Sequence, residues 1–152
     1  ERLYAADIGG AEWIVRVGNK HSITGVLTQP GTCYAQVDPA DPKRFSSGNI
    51  TRWGGWWCHG STSHIGFNCV LPPNAPACGT DPNDDAAGGV FPPSSWHPGG
   101  VNLAMCDASV RFVSETIESG NSLAAPVTGG LSPYGVWGAV GSRNGGDSTG
   151  SF

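Results

Sequence analysis

Apolar and polar positions alternate in only a few short stretches of this 152-residue chain. The clearest is residues 101–113, VNLAMCDASVRFV. Val101, Leu103 and Met105 alternate with Asn102, Ala104 and Cys106; Val110, Phe112 and Ser114 then alternate with Ser109, Arg111 and Val113. A period of two puts successive side chains on opposite faces of a strand, so the two runs predict a β-hairpin turning at Asp107-Ala108. Residues 13–17 (WIVRV) and 23–27 (ITGVL) predict two further strands, with Gly18-Asn19 as a turn. Residues 64–70 (HIGFNCV) predict another. Residues 31–63 read as irregular, because Pro39, Pro42, Gly48, Gly54, Gly55 and Gly60 interrupt any long element. Residues 71–95 read as one long Pro/Gly/Asp/Asn-rich connection, a length typical of functional or mobile loops. Residues 115–120 predict a single helical turn ending at Gly120. The apolar run GVWGAVG then precedes a Gly/Ser-rich tail, and no internal repeat is present. The expected fold is mainly β, with α+β as the alternative: a small antiparallel-sheet domain with long Pro/Gly-rich loops. Residues 1–143 form one globular unit in this reading, and residues 144–152 a flexible tail.

Composition changes this picture in one respect. With 24 Gly and 12 Pro, about a quarter of the chain disfavours regular structure, and Leu, Ile, Val and Phe total only 29 residues. That is the edge of the disorder-prone range. A net charge of -4 and 13% charged residues are too little for self-repulsion to hold the chain open. Six Trp add core area, since each buries roughly 150–250 Å². A helical bundle is excluded, because Gly costs about 1 kcal/mol and Pro about 3 kcal/mol per helix position. Eight Lys+Arg against 12 Asp+Glu leave no basic footprint for nucleic acid. No apolar run reaches the roughly 18 residues of a membrane span. The chain opens at Glu1 without an initiator Met or signal peptide and reads as a piece of a longer protein.

Five cysteines in a Lys-poor chain point to an oxidising compartment and up to two disulfides. Cys69 and Cys78 flank the stiff run VLPPNAPA, and closing that loop would stabilise the fold by about 2–3 kcal/mol. Cys33 with Cys58 is the second expected pair, which leaves Cys106 as a free, buried thiol. The alternative is five reduced core cysteines. There is no CxxC pair to suggest a zinc ribbon.

The stretch SSWHPGGVNLAMCDASVRFVSETI resembles the C-terminal signature of a bacterial family of prepilin-like proteins, abundant in planctomycete-type bacteria. The family is catalogued as a domain of unknown function and as a tenth family of bacterial solute-binding proteins. Its signature is a His, nine residues, then Asp-Gly and Ser-Val-Arg-Phe. His97, Asp107 and Arg111 keep that pattern here, but Ala108 stands where the family has Gly. RWGGWWCHGSTSHIGFNCVLPPNAPAC and SPYGVWGAVGSRNGGD resemble further family segments, so the likeness covers about the last two-thirds of the chain. The resemblance implies an exported, pseudopilin-like head at the cell surface, in the periplasm or in a secretion filament. It implies a preceding prepilin leader and apolar helix as the only membrane contact, and other pilin-like subunits as partners. It implies no enzymatic activity.

Site chemistry is weighed against plain structural roles. His97 and Asp107 sit about 33 Å apart if the strand between them is straight, too far for a dyad. Structural roles are expected: backbone hydrogen bonding for His97 and an Asx turn for Asp107. His21, His59, His64 and His97 show no metal-binding spacing. Asp81, Asn83, Asp84 and Asp85 form an oxygen-rich cluster that suits calcium, although a solvated turn is the simpler reading. No GxSxG elbow, cysteine nucleophile motif, distinguishable carboxylate pair or phosphate loop is present. Trp53, Trp56 and Trp57, with Arg52 and His59, form an aromatic cluster, and Trp96 lies just before the signature. Such residues serve either as core or as a ligand platform. The expected function is a non-catalytic head for display, filament assembly or extracellular recognition. A carbohydrate-binding module using that Trp platform on a glycan is the first alternative, and a secreted metal-dependent enzyme the second.

Overall fold

The computed structural model describes residues 15–48, 50–52, 58, 60–82 and 88–150. A four-stranded mixed sheet and a separate two-stranded hairpin carry a small, mainly β fold. In the sheet, β1 (Gly18–Lys20) lies between antiparallel β2 (Ile50–Arg52) and parallel β3 (Ala77–Gly79). Strand β4 (Gly89–Val90) pairs antiparallel on the far side of β3. The hairpin joins β5 (Gly100–Ala104) to β6 (Val110–Ser114). A 3₁₀ segment spans Pro30–Gln36, and two short helices complete the chain, α1 (Thr62–Ile65) and α2 (Gly135–Gly141). No helix among the described residues is long and apolar enough to cross a membrane.

The hairpin forms where alternation predicts it. Val101, Leu103 and Val113 point inward onto Trp137, while Val110 and Phe112 stay exposed. The turn is a three-residue loop: Met105 N–H donates to Ser109 O at 2.8 Å, and Ala108 N–H to Met105 O at 3.0 Å. Ala108 takes φ 64°, the left-handed position that such a loop reserves for glycine. Gly100 is required for a different reason, since a Cβ there would collide with the Val113 carbonyl and the Phe112 ring.

The N-terminal strands differ from expectation. Residues 15–17 form a turn, residues 13 and 14 lie outside the described set, and the strand falls on the Gly18-Asn19 expected to turn. Strand β1 is central and fully buried, yet it contains no apolar side chain. It is held by ladder bonds and by Lys20, whose Nζ donates to Ser46 Oγ at 3.1 Å and Ser47 O at 2.9 Å. Burial lowers the Lys20 pKa. Residues 24–28 turn as well, with Thr28 and Gln29 N–H both donating to Gly25 O. The strand expected at residues 64–70 is instead α1 and an irregular stretch. There Asn68 alone replaces a ladder: its N–H and side-chain amide donate to Phe91 O and Gly89 O, and its Oδ1 accepts from Phe91 N–H. The connection over residues 71–95 contains β3 and β4. Residues 115 and 116 turn and 117–120 are irregular, so no helical turn forms there, and GVWGAVG becomes α2. Glu118 serves the start of that helix: its Oε2 accepts from Val136 N–H and its backbone O from Trp137 N–H.

The core is split. One cluster contains Val26, Cys33, Leu71, Ala75, Cys78 and Val90. Another contains Val101, Leu103, Val113 and Trp137, with Cys69, Ile117 and Val140 packed against it. The Trp137 indole joins them by donating to Leu71 O at 2.7 Å. This division corrects the cysteine pairing. Cys33 bonds Cys78, with Cα atoms 5.8 Å apart, and neither Cys69–Cys78 nor Cys33–Cys58 forms. Cys78 points into the first cluster and Cys69 into the other, which separates that expected pair. Cys58 is free and exposed, and so is Cys106, which was expected to be buried.

Candidate functional site

Two concavities stand out among the described residues. The larger is a groove of about 720 Å³ with an aromatic and polar lining. Three distant side chains, Arg16, Asn74 and Glu115, meet at its floor, and the buried Ser95 bonds to two of them. Arg16 donates from one guanidinium nitrogen to Glu115 Oε2 at 3.1 Å and from another to Ser95 O at 3.2 Å. Asn74 donates to the same Glu115 oxygen at 2.8 Å, and its Oδ1 accepts from Ser95 N–H at 2.9 Å. Arg16, Asn74, Ser95 and Glu115 therefore form one closed network.

The surrounding backbone fixes each member. Asn74 has φ 66°, which Asn tolerates better than most residues, and its N–H donates to Pro93 O. Ser94 Oγ donates to Arg16 O at 2.8 Å. Ser95 Oγ donates to Gly100 O and accepts from His97 N–H. Glu115 N–H donates to Gly99 O at 2.9 Å, which places the carboxylate directly after β6. The Arg16 and Glu115 side chains are 30% and 36% exposed. At that exposure an ion pair contributes at most about 1 kcal/mol, so its main effect is to hold both groups in place.

The walls differ in character from the floor. Trp96 is 55% exposed and Tyr34 44% exposed, and both line the groove. Burial of part of Tyr34 raises its phenol pKa. Pro42, Pro72 and Pro73 stiffen the lining, while Lys43 and Arg44 are exposed at it. Flat rings, a fixed polar floor and this volume suit a small polar ligand with an apolar face.

The second hollow, about 590 Å³, lies beside α2 and is lined by residues including Cys69, Ser132, Tyr134 and Arg143. Burial pushes the Cys69 thiol pKa up to about 12, so this cysteine is not poised as a nucleophile.

Of the residues singled out from sequence, Trp96 alone lies in the groove. Trp53, Trp56, Trp57, His59, Asn83, Asp84 and Asp85 lie outside the described residues, and so does the side chain of Arg52, which ends β2. Asp81 is exposed, and its backbone oxygen meets Ser22 N–H and His21 Nδ1. His97 is exposed in the turn before β5, and Asp107 lies beyond the other end of that strand. Asp107 forms the expected Asx turn, with Oδ1 accepting from Ser109 Oγ at 2.6 Å and Ser109 N–H at 2.9 Å. Those two bonds, and less strongly the charge of Arg111, hold the Asp107 carboxyl below its usual pKa. No group of three or more His, Cys, Asp or Glu among the described residues is arranged to hold a metal.

A family model described as Protein of unknown function (DUF1559) matches residues 8–120. The chain belongs to the DUF1559 family. This is the domain-of-unknown-function family that the SSWHPGGV signature suggests. The DUF1559 match includes every groove residue named above and stops before α2. No curated protein and no solved structure matches the chain.

Arg16, Tyr34, Lys43, Asn74 and Glu115 were not singled out as site residues. One signal was available: an Asn directly after Pro72-Pro73 marks a turn position that tolerates positive φ. Nothing local in the sequence links it to Glu115, 41 residues away.

Proposed function

We propose that this chain is the head of an exported, prepilin-like protein and acts by recognition, without catalysis, through the Trp96–Tyr34 groove. The observation that carries this reading is the groove: two exposed rings beside a polar floor of Arg16, Asn74 and Glu115, which hold one another in position together with the buried Ser95. Groups fixed before a ligand arrives lose little entropy on binding, the usual property of a recognition site. The Cys33–Cys78 disulfide supports placement outside the cytoplasm. The likeness of the signature to prepilin-like proteins supports display at the surface or in a filament.

A combined glycan and peptide array tests the reading. The chain is expected to retain a defined set of ligands that Trp96→Ala and Tyr34→Ala both lose while remaining folded by circular dichroism. Ligands retained equally by both variants, or cleaved during the assay, contradict it.

A further inference from the structure

From the groove we infer that the ligand is a short stretch of acidic polysaccharide, a chain of pyranose rings carrying carboxylates; this inference rests on the recognition reading above. A pyranose ring has C–H bonds on its faces and hydroxyls around its rim. The C–H face is weakly positive and sits on the negative face of an aromatic ring. Trp96 and Tyr34 supply such faces, 55% and 44% exposed. Sugar hydroxyls donate and accept, so they need both kinds of partner at fixed positions. Glu115 Oε1 is an acceptor without a hydrogen bond among the described residues, while one Asn74 Nδ2 proton and the remaining Arg16 protons are donors.

Charge selects the acidic class. Three of the chain's eight basic residues, Arg16, Lys43 and Arg44, line this one groove although the net charge is -4. Arg16 is neutralised by Glu115, and this is the only salt bridge among the described residues. Lys43 and Arg44 are exposed, with no such partner among those residues. Asp41, the other acid in the lining, accepts from Lys43 N–H within its own turn. The lining therefore carries three cations against the two carboxylates of Asp41 and Glu115, and a carboxylated sugar standing on the rings would meet that one-charge excess at Lys43 and Arg44.

The lining argues against a peptide. Pro42, Pro72 and Pro73 have no N–H to offer an added strand. A proline-rich helix needs apolar slots between rings, and here the floor is Arg16, Asn74 and Glu115.

Calorimetric titration of the 152-residue chain tests the assignment. The probes are a galacturonic acid hexamer, cellohexaose, a glutamate hexapeptide and a proline-rich peptide. The galacturonate is expected to bind at least about tenfold tighter than the other three and to weaken as salt rises. Trp96→Ala is expected to reduce galacturonate binding about tenfold or more. Lys43→Ala and Arg44→Ala, both on an exposed turn, should each reduce it about twofold to fivefold and flatten the salt dependence. Tyr34→Phe keeps the ring and should retain most of the affinity, a control if Trp96→Ala unfolds. Equal binding of the glutamate peptide overturns the inference, because simple polyanion capture would then suffice. Tighter binding of cellohexaose or the proline-rich peptide, lost in Trp96→Ala, also overturns it while the recognition reading stands. No binding by any probe overturns it, and a silent array removes the recognition reading as well.

Discussion

Ala108 shows how one residue can disagree with the element it serves. At φ 64° it has the backbone of a glycine and the Cβ that this conformation disfavours. Ala108→Gly is expected to stabilise the chain by about 1 kcal/mol, read from urea unfolding with an unchanged slope. Cysteine chemistry offers a second check at this scale. Cys58 and Cys106 are exposed, whereas burial pushes the Cys69 pKa to about 12. Native protein at pH 8 should therefore alkylate rapidly at Cys58 and Cys106 and slowly at Cys69. Mass mapping should find Cys33 joined to Cys78. Because the folded pKa of Cys69 lies above its usual 9.0, its contribution to stability is complete below pH 9 and declines as pH rises toward 12. Cys69→Ala should make that decline shallower. Rapid labelling of native Cys69 at pH 8 would refute its burial against α2.

Elements were legible where packing follows alternation and illegible where polar groups do the holding. The β5–β6 hairpin has one face on Trp137: in β5 the inward Val101 and Leu103 alternate as the sequence shows, whereas in β6 the alternating Val110 and Phe112 face solvent and Val113 is the buried residue. Strand β1 has both faces covered but contains Gly, Asn and Lys, and it forms because neighbours on both sides complete its ladder. No local pattern can reveal a partner 58 residues away, as Cys78 is from Lys20. Two predictions belong at this scale. Trp137 is fully buried and bonded to Leu71 O, so Trp137→Ala should cost about 3–5 kcal/mol, read by denaturant unfolding. Asp107 has a depressed pKa, so its contribution to the hairpin turn is present above the usual carboxylate range and lost as pH falls through its lower folded value. Asp107→Asn should reduce the acid-side slope of stability, and an unchanged slope would contradict the Asx turn.

At the scale of the whole molecule, a Gly- and Pro-rich chain achieves order with few aliphatics by joining small clusters. The Cys33–Cys78 bond spans 45 positions and ties the 3₁₀ segment to the central sheet. By loop-closure entropy it contributes about 4 kcal/mol, so a Cys33→Ala/Cys78→Ala variant should lose about that much stability, or fail to fold at 37 °C. Of the six Trp, Trp137 serves the core and Trp96 the surface, while Trp13, Trp53, Trp56 and Trp57 lie outside the described residues. The groove was partly legible, through Trp96 alone, because its floor depends on residues 16, 74, 95 and 115 meeting in space. Nuclear magnetic resonance mapping of the chain during titration with the galacturonic acid hexamer tests the central claim most directly. Shifts are predicted to concentrate on the Trp96 indole, the Asn74 side-chain amide, and the backbone amides of Tyr34, Lys43 and Glu115. Shifts confined to the hollow beside α2 or to residues 53–59, or no shifts at all, would contradict it.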